Sequence, residues 1–319
     1  MKIAIFAHLN LKTMKKILFL AVAFLGVSAF SQEAIETDST KHWSVQGQNT
    51  LMLNQAAFSN WIGGGANNIG WIAGTNYNMT YEKNKDLWEN IVVIGYGQNN
   101  TKGVGNRKTQ DIINLSTNYG RKISKNWYVS GGASLLTQFD KGFADGNNPT
   151  AAKISNFMAP GFVNVGAGFT YRPNDNFTMT LRPANARWTF VLDKDLQQAG
   201  NFGLKNNGDS SLFQFGFLGT ALYKVQLMEN VSLINSASVF SNYLDHPERL
   251  VLGYGGILNL KINKYVSSVV TLDLMYDHNQ IKKTQVKQTL GVGFAYNIDK
   301  GPKRSDNKNN QTWKYFFET

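Results

Sequence analysis

The last part of the chain alternates between apolar residues and residues that are small or polar. From Val286 to Ile298 every second residue is large and apolar except Gln288, and the residues between them are Lys, Thr, Gly, Ala and Asn. Side chains of a β-strand point alternately to the two faces of a sheet. The pattern therefore predicts a strand with one apolar and one polar face.

Similar segments recur along almost the whole chain. In one of them Phe213, Phe215 and Tyr223 alternate with Gln214 and Lys224. A strand that crosses a membrane needs about 9–11 residues, and these segments are long enough. We predict twelve strands, at residues 43–53, 67–82, 87–98, 109–122, 127–139, 162–172, 177–188, 211–227, 231–243, 251–262, 266–277 and 286–298.

The connections between these segments alternate in length. The connections that follow the even-numbered segments are short and rich in Asn, Asp and Lys: 83–86, 124–126, 173–176, 228–230 and 263–264. The odd-numbered segments lead into longer connections, most clearly 139–161 and 189–210. Periplasmic turns are short and extracellular loops long in outer-membrane barrels, and an even strand number places both termini in the periplasm. The pattern predicts an all-β fold, an antiparallel transmembrane β-barrel of about twelve strands.

The start of the chain is typical of an exported protein. Met14 is followed by two lysines, the apolar run Ile17–Val27 and the small residues Ala29 and Ser31. This is the pattern of a cleavable signal peptide, whose apolar region is too short to span a bilayer. We therefore predict a signal peptide at 1–31 with its true start at Met14, a periplasmic segment at 32–42, the barrel at 43–298 and a basic periplasmic tail at 299–319.

Composition narrows the classes of function. The chain has no cysteine, which excludes a lipoprotein anchor, disulfides, thiolate metal sites and a cysteine nucleophile. Its net charge is +11, but no nucleic-acid recognition motif or basic helical stripe accompanies that charge. We expect no nucleic-acid partner. Outer-membrane lipid, whose headgroups are anionic, is the expected partner, with other envelope proteins as further candidates.

Two Asp-His steps are the weak candidates for catalysis. Asp245-His246 follows the ninth segment and Asp277-His278 ends the eleventh. Both steps lie at the same end of nearby strands, where acid–base or metal chemistry would be placed in a barrel protease or lipase. Adjacent residues on a strand point to opposite faces, so neither step forms a dyad by itself. We predict a protein that is not an enzyme and that needs no cofactor or metal.

The polar face of the predicted barrel carries more basic than acidic residues. These lumen charges are Arg172, Arg182, Lys224, Lys261, Lys287, Glu82 and Asp273. The first long loop combines aromatic residues with glycines, which favours packing in the barrel mouth or contact with a ligand or partner. Its candidate contact residues are Phe58, Trp61, Gly63, Gly64 and Gly65.

Several phrases resemble a known family. They are residues 54–61 (Asn-Gln-Ala-Ala-Phe-Ser-Asn-Trp) with glycines 63–65, residues 87–90 (Leu-Trp-Glu-Asn), 96–97, 188–191 (Trp-Thr-Phe-Val) with Gly200 and Gly203, 240–243 (Phe-Ser-Asn-Tyr) and Pro247. The chain is similar, from about Trp43 to Ile298, to the Bacteroidota outer-membrane family called domain of unknown function 3078. The resemblance implies a host with two membranes, an outer-membrane location and no established biochemistry.

Together these observations predict an outer-membrane barrel that is a narrow passive channel or a structural component of an envelope complex. Twelve strands make a barrel wider than the eight-stranded barrels that side chains fill and narrower than porins of 16–18 strands. Two alternatives remain open. One is an outer-membrane barrel enzyme, a protease or lipase that uses the Asp-His residues at the extracellular rim. The other is a secreted soluble β-sandwich that binds a ligand.

Overall fold

The structure, a computed structural model, describes residues 42–56, 67–144, 151–263, 265–278 and 281–301. Its main feature is one closed antiparallel barrel of twelve strands, accompanied by a separate two-stranded hairpin. The barrel strands are β1 (Trp43–Ala56), β2 (Asn68–Lys83), β3 (Asp86–Thr101), β4 (Gly105–Lys122), β5 (Trp127–Thr137), β8 (Gly161–Asn174), β9 (Phe177–Phe190), β10 (Ser211–Met228), β11 (Val231–Asn242), β12 (Val251–Lys261), β13 (Val266–Asp277) and β14 (Ile281–Lys300). The hairpin consists of β6 (Gly142–Phe143) and β7 (Lys153–Ser155).

Each barrel strand pairs with the barrel strands that precede and follow it in the chain, and β5 pairs directly with β8. The barrel closes where β1 meets β14, in a ladder that runs from Val45 opposite Lys300 to Leu53 opposite Val292. The predicted fold class, an antiparallel β-barrel of twelve strands, is confirmed, and each predicted segment has its strand. The last strand is longer than predicted, because it begins at Ile281 and includes two residues assigned to the tail.

The two ends of the barrel differ in their connections. At the end that holds the start of β1 and the end of β14, the connections are residues 84–85, 123–126, 175–176, 229–230 and 262–265. We call this the short-turn end. Asn84 adopts a positive φ of 54°, which a two-residue hairpin turn requires and which asparagine tolerates.

The opposite end, which we call the long-loop end, carries the connections 138–160 and 191–210. The second contains helix α1 (Lys194–Gln198) and a 3₁₀ turn (Asn201–Gly203). Two connections at this end depart from the predicted pattern, since residues 102–104 join β3 to β4 and residues 278–280 join β13 to β14. The alternation of short and long connections is therefore a tendency of this barrel, with two three-residue exceptions at the long-loop end.

The outer surface of the barrel is largely apolar. Val286, Leu290 and Phe294 of β14 point outward and are more than half exposed, as the alternation along that strand predicts. Aromatic rings in contact surround much of the short-turn end, with pairs Trp43–Tyr81, Trp43–Trp88, Trp127–Tyr171, Tyr171–Phe177 and Phe177–Tyr223. Such a band of aromatic residues is typical of the level where a membrane barrel meets lipid headgroups.

Among the described residues, no helix combines the length and the apolar character that crossing a membrane requires.

Candidate functional site: the barrel lumen

One side of the lumen is filled by buried polar side chains. We call the inner faces of β4, β5, β8 and β9 the filled sector. Thr170 lies at its centre, fully buried, with its hydroxyl 2.9 Å from that of Ser130 and 3.2 Å from that of Thr180. The amide of Asn118 donates to the same Thr170 oxygen at 3.2 Å. This network ties four strands together and leaves little space at that wall.

The other side of the lumen is open to water. We call the inner faces of β10 to β14 the open sector. Its residues Thr220, Ser236, Ser238, Asp273 and Lys287 are exposed although the strand register points them inward. Side chains that are exposed on the inner face of a closed barrel border a water-accessible space. The polar face predicted from the sequence thus contains both a filled and an open half.

One contact crosses this space near the long-loop end. The ammonium of Lys287 on β14 donates a hydrogen bond to the side-chain oxygen of Gln110 on β4. Strands β1, β2 and β3 lie between β14 and β4 in the barrel wall, so the contact spans the lumen rather than two neighbouring strands. Lys287 also lies directly opposite Asp273 on β13. The passage is therefore narrowed at this level.

Arg182 reaches from β9 across the filled sector. Its Nη2 donates to Oδ1 of Asn118 at 3.0 Å, and its side chain is buried. Glycines make this reach feasible: a Cβ added at Gly132 would lie 2.4 Å from Nη2, and one at Gly166 would lie 3.0 Å from the Arg182 Cδ. Glycine within a strand often marks such a close approach.

A second arginine in this wall, Arg187, was not predicted to face the lumen. The pairing of β9 shifts register with both neighbours, against β10 between Arg182 and Asn185 and against β8 between Leu181 and Ala184, so that two residues of β9 oppose one residue of each neighbour. Pro183 lies in this bulge. The inward residues of β9 are even-numbered before the bulge and odd-numbered after it, so Arg187 points into the lumen. A proline inside a strand is a sequence signal for a bulge, and it would have identified this residue.

A cluster of charges occupies the short-turn end of the lumen. Arg172 forms salt bridges with Glu89, at 3.3 Å, and with Asp175, at 2.9 Å. Lys224 is close enough to interact electrostatically with all three. The sequence pattern did not identify Glu89 as a lumen residue, because apolar residues such as Leu87 lie on the same inner face of β3 and obscure the alternation of polar and apolar positions. The cluster joins β3, β8 and β10 and is close to neutral.

The remaining predicted lumen charges also follow the inward register. Glu82 lies opposite the buried Leu87, and Lys261 is on the same face of β12 as Ile257 and Asn259. Both lie in the last residues of their strands at the short-turn end. They belong to the mouth of the barrel, where solvent weakens their electrostatic influence.

The two Asp-His steps make contacts within their own segments. The Nδ1 of His246 lies 2.9 Å from Glu248, and its Nε2 lies 3.9 Å from Asp245. The Nδ1 of His278 lies 3.5 Å from the hydroxyl of Tyr276. Asp277 is buried on the lumen side of β13. These contacts do not assemble an acid, base and nucleophile, and the expectation that the protein is not an enzyme stays a prediction.

Within the described ranges, no three or more His, Asp or Glu side chains are grouped so that they could hold a metal ion. The predicted loop residues Phe58, Trp61, Gly63, Gly64 and Gly65 lie outside the described residues. So do the predicted signal peptide and residues 302–319 of the predicted tail.

The two long loops pack together through a small core of their own. Ala159, Val191 and Leu196 are buried in it, from the loops at 138–160 and 191–210. Asp193 caps the first turn of α1, its Oδ1 accepting hydrogen bonds from the amides of Asp195 and Leu196. These loops leave from β5, β8, β9 and β10, so the core fixes the long-loop end of the strands beside Arg187.

An ion pair joins these two loops. Lys153 donates to Asp193 at 2.8 Å and to Asp195 at 2.6 Å. Burial by itself would raise the pKa of Asp193, but hydrogen bonds from Lys153, Asn156 and the Leu196 amide outweigh it and lower that pKa. The same carboxylates raise the pKa of Lys153. Both groups are therefore charged at neutral pH.

A comparison with protein-family models gave a match over part of the chain. Residues 53–143 match a family model described as protein of unknown function (DUF3078). The match extends from the end of β1 to β6, a shorter part of the chain than the expected resemblance. A comparison with curated protein sequences gave no match.

Solved structures similar to this chain include a translocator domain, an outer membrane channel and a porin. The translocator domain of the autotransporter NalP from Neisseria meningitidis is 11% identical, with 89% of this chain and 97% of that chain covered and a TM-score of 0.33. An outer membrane channel from Pseudomonas putida F1 is 9% identical, with 84% and 100% covered and a TM-score of 0.38. The NanC porin is 10% identical, with 78% and 98% covered and a TM-score of 0.34. Because all three scores are below 0.5, the fold rests on the strand pairing of this chain alone.

Proposed function

We propose that this chain is a bacterial outer-membrane barrel that acts as a narrow passive channel for small polar solutes. The apolar outer surface and the aromatic band at the short-turn end support insertion in a bilayer. A closed barrel satisfies every ladder hydrogen bond within the wall, which the hydrocarbon region demands. The resemblance of the sequence to the Bacteroidota family, and the signal peptide predicted from the sequence, support the outer membrane of such a host.

The proposed orientation follows from the two ends of the barrel. Both terminal strands and the short turns share one end, which corresponds to the periplasmic side of an outer-membrane barrel. The two packed loops at 138–160 and 191–210 then face the exterior. The lumen mouth beside Arg187 is the entry for external solutes.

The observation that carries the channel proposal is the open sector, where inward hydroxyls are exposed to water along β10 and β11. An insertion of bulk there should obstruct it. Ser238 lies opposite Thr220 on one side and Gly253 on the other, so an indole at this position would project into the open space. We expect Ser238→Trp to lower the single-channel conductance in planar bilayers. Val239→Trp, one residue on and pointing to lipid, is the matched control and should leave the conductance unchanged.

A structural role in an envelope complex is the second candidate. The charge cluster around Arg172 and the Lys287–Gln110 contact both narrow the lumen, and a barrel closed at both levels would not conduct. Absence of conductance from wild-type protein that shows heat-modifiable gel migration would refute the channel and favour this role. Co-purification of a stoichiometric partner from the native outer membrane would then identify the complex.

We also propose that the protein is not an enzyme. Peptide and phospholipid substrates should be left intact by the wild-type barrel. Turnover that is abolished by His246→Ala or His278→Ala would refute this proposal and establish chemistry at the rim.

A further inference from the structure

We propose that Arg187 forms a binding site for a small oxyanion, the carboxylate or phosphate group of a solute that enters the lumen from the long-loop end. The inference deepens the proposed channel function by naming a class of solute. It rests on that function only for the route by which the solute arrives.

The first observation is that Arg187 is buried without a hydrogen-bond acceptor. Its relative exposure is 8%, and its Nε is shielded from solvent with no partner. Within the described part of the chain, its guanidinium forms neither a hydrogen bond nor a salt bridge, and the rings of Phe162 and Phe240 lie beside it. Buried arginines are normally paired, because removing an unpaired charge from water is unfavourable.

Arg172 provides the contrast within the same lumen. Two carboxylates, those of Glu89 and Asp175, lie within salt-bridge distance of its guanidinium. Asp277 on β13 is an electrostatic neighbour of Arg187 but does not form a salt bridge with it. The protein therefore places carboxylates within salt-bridge distance of Arg172 but not of Arg187. An acceptor brought by a ligand would complete the pairing of Arg187.

The surroundings restrict what that ligand can be. The guanidinium carbon of Arg187 lies 5.1 Å from the ring centre of Phe162 and 5.0 Å from that of Phe240. The two rings occupy space beside the guanidinium, stabilise its charge and reduce competition from water. The remaining donors of a guanidinium lie in its own plane and match an oxyanion in a paired, bidentate manner.

Neighbouring groups add to the preference for negative charge. Gln214 lies directly opposite Arg187 on β10 and is buried. Its side-chain NH2 group is a further hydrogen-bond donor for an anion. Arg182, the other buried arginine of this wall, lies on the same strand and is hydrogen-bonded to the neutral Asn118. Two buried positive charges in one wall favour an anion between or beside them. Arg187 lies three residues before the end of β9 at the long-loop end, so the site is near that mouth.

Ligand-dependent stability of the full-length barrel in detergent tests the site directly. The probes are sodium phosphate and sodium acetate, each compared with sodium chloride at equal ionic strength. A ligand that binds only the folded state raises the melting temperature, and above Kd the added stability grows with the logarithm of the ligand concentration. We expect phosphate or acetate to raise the melting temperature of the wild-type protein more than chloride does. No difference between the oxyanions and chloride would overturn the proposal without any variant.

Three variants locate the effect. Arg187→Gln should weaken the apparent affinity for the oxyanion at least about tenfold, since it removes a charge-assisted bidentate donor. Arg187→Lys keeps the charge but loses the planar pair of N–H donors, so its affinity for the oxyanion should lie between that of wild type and that of Arg187→Gln. Arg172→Gln is the matched control and should retain the oxyanion response, because that arginine already has protein partners. A response of Arg187→Gln equal to wild type would refute the site. If Arg187→Gln does not fold, Gln214→Leu takes its place, and an unchanged response there would refute the pocket.

Conductance recordings separate this proposal from the channel proposal. If the barrel conducts and phosphate neither stabilises it nor blocks its current, the channel stands and the oxyanion site is wrong. If it does not conduct but phosphate stabilises it through Arg187, the oxyanion site stands and the channel is wrong. Block by phosphate that Arg187→Gln abolishes supports both.

Discussion

The direction of each side chain in the wall can be tested with a pair of arginine substitutions. Leu272 is near the middle of β13 and points outward with 37% of its surface exposed. Its ladder neighbours are Gly256 and Gln288, so no acidic side chain lies directly opposite it to neutralise a new cation. Ser238 lies in β11 and points into the open sector. Leu272→Arg would place a cation in hydrocarbon, and Ser238→Arg would place the same cation in water.

The expected difference follows from the surroundings of the two positions, lipid for Leu272 and the water-accessible lumen for Ser238. An arginine on the lipid face near the bilayer midplane costs about 2–4 kcal/mol in a membrane barrel. This corresponds to a reduction of the folding equilibrium constant by about 30- to 700-fold, at 1.4 kcal/mol for each factor of ten. Ser238→Arg loses one small hydroxyl and gains a solvated charge, so we expect a change of less than about 1 kcal/mol.

Urea titration of the barrel in lipid vesicles, followed by tryptophan fluorescence and by heat-modifiable gel migration, measures both variants. The transition midpoint of Leu272→Arg should fall well below that of Ser238→Arg, with similar slopes. Equal destabilisation of the two variants, or a larger loss for Ser238→Arg, would refute the assignment of the inner and outer faces.

Three further outcomes are expected. Glu89→Gln removes the carboxylate from the charge cluster and leaves its basic side chains uncompensated, so reversal potentials in a KCl gradient should move toward anion selectivity; movement toward cations would contradict the cluster. The pKa of Asp193 is lowered in the folded loops, so its stabilising contribution is present at neutral pH and is lost as the pH falls through that lowered value. Hydrogen exchange of residues 191–210 should therefore accelerate on acidification in the wild type but depend less on pH in Asp193→Asn, with the more exposed Asp195→Asn as control; equal pH dependence in all three would contradict the role of the pair. An epitope inserted at Asn207 should be detected on intact cells and one at Asn84 only after permeabilisation, and the reverse pattern would invert the proposed orientation.

The fold could be predicted from the sequence because its two main determinants are local. Alternation along each strand specifies which face meets lipid, and residues such as Asn84 encode tight turns at positions that fix the hairpins. Neither determinant requires knowledge of distant contacts. The packing of the two long loops around Val191 and Leu196 does depend on such contacts, and no periodic pattern in the sequence indicated it.

The lumen was less predictable because the contacts of an inward side chain depend on residues of other strands, which the local sequence pattern does not contain. A strict period of two gave the direction of Arg182 but not that of Arg187, since the bulge at Pro183 shifts the parity between them. Glu89 was hidden by apolar neighbours that fill the short-turn end. Whether a charged side chain is paired depends on strands that are far apart in sequence, as the salt bridge between Glu89 and Arg172 illustrates.

The seam between β1 and β14 has a consequence for the order of assembly. Val45 pairs with Lys300, so the first strand of the barrel pairs with the last of the barrel strands to be synthesised. Hairpins from β2 onward can form as soon as their second strand is available, but the seam cannot close until β14 has been synthesised. Until then both terminal strands present unpaired edges, which are prone to join other chains. Such long-range closure is slow. A cell that makes this protein must therefore keep the unclosed chain apart from its copies until the first and last strands meet.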